Sequence, residues 1–97
     1  MRDKDFKEKM MKKAEEVIDL LDKNGKRYGD DMLNLFQEDY PLMHITAKAL
    51  RVKNMVRNNH YNPGREDQKI IETIKEESRD ILGYAFLLIA IEEGLIT

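Results

Sequence analysis

Ninety-seven residues, 41% of them hydrophobic and 37% charged, make one domain with a modest core, and the composition fits neither a disordered nor a collagen-like chain. The absence of cysteine excludes disulfides, thiolate zinc sites and cysteine nucleophiles together. The start, Met1-Arg2-Asp3-Lys4-Asp5-Phe6-Lys7, has no apolar signal core, and the most apolar run, residues 81–91, is too short to span a bilayer. These features predict a single domain over residues 1–97, in the cytoplasm and without a membrane partner.

The net charge of −2 hides a segregation. Lys48, Arg51, Lys53, Arg57 and Arg65 fall in a stretch without one acid, whereas beyond it eight acids face only Lys69, Lys75 and Arg79. A short basic block in an acidic chain suits a compact anionic ligand better than a long nucleic acid, which asks for a net positive protein.

Strand signals are almost absent, so the expected class is all-α: three long helices and one short one. The first long helix runs from about Asp5 to Asn24, with Phe6, Met10, Ala14, Val17, Ile18 and Leu21 on one stripe and Gly25 as its left-handed terminus. A short helix with Met32, Leu33, Leu35 and Phe36 follows, N-capped by Asp30. Pro41 opens the third, which runs to about Arg57 with Leu42, Ile45, Ala49, Val52 and Val56 inward. The segment Asn58-Asn59-His60-Tyr61-Asn62-Pro63-Gly64 reads as a loop. The last helix extends from about Arg65 to Glu93, stopped by Gly94, with Ile70, Ile74, Ile81, Ala85 and Leu88 inward and Gly83 as a candidate bend.

Residues 84–91, Tyr-Ala-Phe-Leu-Leu-Ile-Ala-Ile, carry no charge on any side. A helix apolar all round must be surrounded all round, and a 97-residue chain has few helices to do it. The expectation is a homo-oligomer, a dimer or larger, with Tyr84, Phe86, Leu87 and Ile91 at the subunit interface.

Projection at about 100° per residue gives two polar stripes beside the apolar faces. On the last helix it aligns Thr73, Glu77, Asp80 and Tyr84, with Glu77 the most inward acid and Glu72 and Glu76 toward solvent. Two carboxylates three residues apart can share a divalent metal, or simply form a solvated border. On the third helix it aligns His44, Lys48, Arg51 and Met55. Lysine and arginine at this spacing make a phosphate clamp, or lay their stems over apolar surface. Glu15, Glu16 and Asp19 have metal-like spacing on the first helix, but Glu15 and Asp19 project outward. With only His44 and His60 and no cysteine, a four-ligand zinc site is not assembled. No Gly-rich phosphate loop and no interleaving of bases with aromatics is present.

Three short motifs occur in a recognisable order: Lys-Arg-Tyr28-Gly29, then residues 45–52 (Ile-Thr-Ala-Lys-Ala-Leu-Arg-Val), then residues 76–85 (Glu-Glu-Ser-Arg-Asp-Ile-Leu-Gly-Tyr-Ala). Over roughly residues 20–93 this resembles the small phage and bacterial proteins called nucleotide modification associated domains, first type. Arg27 stands where that family usually has an acid. The last helix also resembles the second acidic motif of the all-α nucleoside triphosphate pyrophosphatases (MazG-like), although the acidic motif that should precede it lies outward on the first helix. The first resemblance implies a phage-type protein binding a nucleotide or related phosphorylated ligand, with Lys48, Arg51 and His44 at the ligand and Tyr28 near the base or subunit boundary. The second implies magnesium at Glu77 and Asp80 for triphosphate hydrolysis. A third reading is an inhibitor that docks to a host protein and performs no chemistry.

Overall fold

The computed structural model is all-helical, with no strand among the described residues, which are 2–23, 30–58 and 68–96, the first two of α2 (30 and 31) by backbone alone. Four helices follow in order: α1 (Phe6–Lys23), α2 (Asp30–Phe36), α3 (Asp39–Asn58) and α4 (Gln68–Glu92). The expected Gly25 terminus, the 58–64 loop beyond Asn58, Tyr28, His60 and the Asp30 capping side chain lie outside the described residues.

The helix ends follow local chemistry. Asp3 accepts a hydrogen bond from the Asp5 backbone N–H at 2.7 Å, and its carbonyl accepts one from the Phe6 N–H at 3.1 Å, so it caps α1 in front of the first turn. Gln37, with φ of 50°, closes α2 in the left-handed region, its N–H returning to the Leu33 carbonyl at 2.8 Å. α3 starts two residues later, and Pro41 sits in its first turn, where no intrahelical donor is required. Gly94 ends α4 as expected. Its φ is +72°, it donates to Ile91 at 3.1 Å, and Leu95 donates to Ala90 at 2.9 Å, the paired bonds of a Schellman terminus.

α3 and α4 form the principal contact; α1 lies on α4 and α2 on α3. Among the described residues few side chains are fully enclosed: Val17, Leu33 and Leu87 are the buried apolar ones, joined by Pro41 and the Gly83 backbone. Two expected inward faces are therefore rotated. On α1, Phe6, Met10 and Ile18 are 41–46% exposed, because α4 covers only the strip around Val17 and Leu21. On α3, Leu42 and Ala49 are exposed, while Pro41, His44, Ile45, Lys48, Val52, Met55 and Val56 are buried or half-buried. The α3 contact has turned toward the His44–Lys48 stripe because that stripe finds its own charge and ring partners on α4. α4 is continuous through Gly83. The missing side chain there admits α1: an added Cβ would lie 3.6 Å from Val17 Cγ1 and 3.8 Å from Leu21 Cδ2.

Leu87, expected at a subunit interface, is only 8% exposed within the single chain and belongs to its own core. It sits one turn beyond Gly83, on the side of α4 where α1 is admitted. Tyr84, Phe86 and Ile91 are half-buried. No described helix is long and apolar enough to cross a membrane.

Candidate functional site

The two polar stripes read from helical spacing meet. α3 contributes Tyr40, His44, Lys48 and Arg51, and α4 contributes Glu77, Asp80 and Tyr84, side by side along one seam. Lys48 Nζ donates to Asp80 Oδ2 at 3.0 Å and to Glu77 Oε2 at 3.4 Å. Arg51 Nη1 donates to Glu77 Oε1 at 3.1 Å, so the Glu77 carboxylate is gripped at both oxygens. Glu77 is the inward acid of α4, at 13% side-chain exposure against 59% for Glu72. Lys48 is 18% exposed, whereas Asp80 and Arg51 stand at 51% and 60% on the solvent side. The set is a closed ionic quartet with no net charge, which is why it can sit in a helix–helix contact that would exclude a single ion.

The quartet tunes its central lysine. The hydrogen bond that Lys48 donates to Asp80 raises the Lys48 pKa above its usual 10.5; burial opposes this, and the charges of Asp80 and Glu77 add to the rise. The ammonium therefore stays protonated throughout the physiological range.

One turn toward the α3 N-terminus the seam becomes aromatic. His44 and Tyr84 stack with ring centroids 4.5 Å apart and planes within 5°. Tyr40 meets both edge-on, at 4.7 Å from His44 and 6.1 Å from Tyr84. Tyr40 is absent from the site read from sequence because the helix was begun at Pro41. The signal was present as the four-residue step Tyr40–His44–Lys48, which puts the three on one helical face. Of the expected site residues, His44, Lys48, Arg51, Glu77, Asp80 and Tyr84 are brought together. Phe86 and Ile91 lie further along α4, and Tyr28 lies outside the described residues.

Magnesium at Glu77 and Asp80 is not favoured by this donor set. Both carboxylates are committed to the Lys48 ammonium, which holds the position between them that a cation would take. No cluster of three or more acidic or histidine ligands occurs among the described residues. Glu15 and Asp19 are exposed on α1, as their projection implied, and Glu16, which the projection brought to the border of the apolar face, is exposed with them. No protein family, curated protein or solved structure matches this chain.

Proposed function

We propose that the α3/α4 seam binds a nucleotide or related phosphorylated small molecule, without chemistry of its own. The observation that supports this most is adjacency: the His44–Tyr84 stack lies one helical turn from the Lys48–Arg51 cations. A flat base finds ring faces and edges of the kind that hold bases, and a phosphate finds a guanidinium fork beside an ammonium. Arg51 is the cation a phosphate reaches first, being 60% exposed, and Lys48 follows by exchanging Asp80 for the ligand. The motif resemblance to nucleotide modification associated domains points the same way.

Because the phosphate competes with carboxylates for the same donors, the reading makes an unusual demand. Titration calorimetry with mono-, di-, tri- and cyclic nucleotides should show binding by the wild type and loss of it in Arg51→Ala. Asp80→Asn should bind more tightly, since one competing carboxylate charge is gone. No heat with any nucleotide, or weaker binding by Asp80→Asn, would overturn the assignment.

A second reading, docking to a host protein, is supported by the exposed apolar end of α2, where Leu35 is 74% and Phe36 51% exposed. A cognate host protein retained by the wild type and lost by Phe36→Glu, with no nucleotide heat, would favour it.

A further inference from the structure

The chain leaves more surface uncovered than a folded monomer of its mass. Its accessible area is 7848 Å², against about 5,800 Å² expected for 11.5 kDa. Its radius of gyration is 15.4 Å, against about 12.5 Å for a compact domain of this length. The excess, roughly 2,000 Å², is shared among the helices, so an interface of standard size, ~800 Å² from each partner, would cover part of it.

Part of that uncovered surface lies on one face of α4, besides exposed apolar side chains on α1, α2 and α3. α3 meets the side of α4 carrying Glu77, Asp80 and Tyr84, and α1 reaches α4 beside Gly83. The remaining side, at helical spacings of three and four, carries Lys75, Leu82, Phe86, Ile89 and Glu93. Leu82 and Ile89 are 37% and 56% exposed, Phe86 is half-buried, and Lys75 and Glu93 are exposed. The helical bond from the Glu93 N–H to the Ile89 carbonyl, at 2.9 Å, keeps Glu93 in register with this face. At its N-terminal end the face opens into an apolar groove against α1, rimmed by Lys13, Lys75 and Arg79. Lys13, Arg79 and Lys75, the last 3.5 Å from Glu72, thus stand at one end, apolar side chains in the middle and an acid at the other, with no base in the sequence after Arg79.

We propose that two copies of this chain associate through this face, with their α4 helices antiparallel across a two-fold axis beside Gly83 and Tyr84. The pattern is complementary to itself only in that direction. A two-fold at this level lays Leu82 against the partner's Phe86. The same register brings Lys75 opposite the partner's Glu93, and the Arg79 stem beneath the partner's Ile89. Every such contact occurs twice. A parallel pair would set Lys75 against Lys75 and Glu93 against Glu93. The surface is separate from the α3/α4 seam and does not depend on any ligand there.

The test is sedimentation velocity at tens of micromolar, with circular dichroism of each variant. The wild type should sediment as a dimer. Ile89→Glu, at a half-exposed position, should remain helical and become monomeric. Lys75→Glu and Glu93→Lys should each weaken association about tenfold, because each reversal makes two like-charge contacts. The double variant Lys75→Glu/Glu93→Lys should return to within about threefold of the wild type, since it restores both pairs with inverted sign. A monomeric wild type overturns the proposal, even if an acidic protein or an anionic amphiphile then fills the groove. So does a dimer indifferent to Ile89→Glu. A double reversal no tighter than the single ones overturns the antiparallel register.

Discussion

Replacing Lys48 by methionine keeps the aliphatic stem in the α3/α4 contact and removes only the ammonium. Two interactions disappear, with Asp80 at 3.0 Å and with Glu77 at 3.4 Å. At the latter distance the gross attraction is about 5 kcal/mol for an effective dielectric of ~20. Much of it is offset by the desolvation of Lys48 and Glu77, which are 18% and 13% exposed, and Glu77 keeps Arg51 as a partner. The half-exposed Asp80 pair adds a few tenths of a kcal/mol. The net expectation is a loss of about 1–2 kcal/mol, or a fall in Tm of roughly 5–15 °C for a domain of this size. Urea unfolding at one fixed protein concentration and pH 7 measures it, with Lys53→Met as the solvent-side control expected within about 0.5 kcal/mol of wild type. Combining Lys48→Met with Glu77→Gln should cost about 1 kcal/mol less than the sum of the two, because each removes the same pair. The pH dependence has a definite sign. Lys48 has a raised pKa in the folded state, so its contribution is complete below 10.5 and is lost only as pH rises through the higher folded value. Stability equal to wild type, or strictly additive costs, would refute the view that the quartet holds α3 to α4.

Other expectations follow from the helix ends and the α1 contact. Gly83→Ala should stabilise the protein by up to about 1 kcal/mol in thermal melts, since the new Cβ meets Val17 and Leu21 at ordinary contact distance and the helix gains a better former. Gly83→Leu should displace α1 and lower Tm. Gly94→Ala forces a Cβ into φ of +72° and should destabilise by about 1 kcal/mol, read by the same melts. The backbone bond from Asp5, and then Lys9, hold the Asp3 carboxyl below its usual 3.8, so the cap is complete above that value and fails as pH falls through the lower folded one. Asp3→Ala should remove that acid limb from the helicity of α1, followed by the α1 amide signals in a pH titration.

The helices were legible because their apolar spacing and punctuation agree locally: Pro41 at a first turn, Gly94 at a last. The two stripes were legible for the same reason, since a period near 3.6 assigns His44, Lys48 and Arg51 to one line and Glu77, Asp80 and Tyr84 to another. Their meeting was not. It depends on how α3 rolls against α4, and periodicity centred that roll on Leu42 and Ala49. Paired charges shifted it, because Lys48 facing Glu77 and Asp80 costs far less to enclose than Lys48 alone. Leu87 was misplaced by the same blindness to partners: counting apolar directions around α4 does not reveal that Gly83 lets a helix from the other end of the chain settle beside it.

That single line of attachment has a dynamic consequence. Among the described residues α1 packs on α4 alone, at a strip around Val17 and Leu21, whereas α3 and α4 share an extended seam of apolar, aromatic and ionic contacts. Few enclosed side chains oppose the detachment of eighteen residues, so α1 opens as its own cooperative unit at a free energy below that of global unfolding. Its amides exchange with solvent ahead of those along the α3/α4 seam, and a protease finds its first cleavable chain there. The α3–α4 pair, whose contact is the principal one, is the last part to come undone.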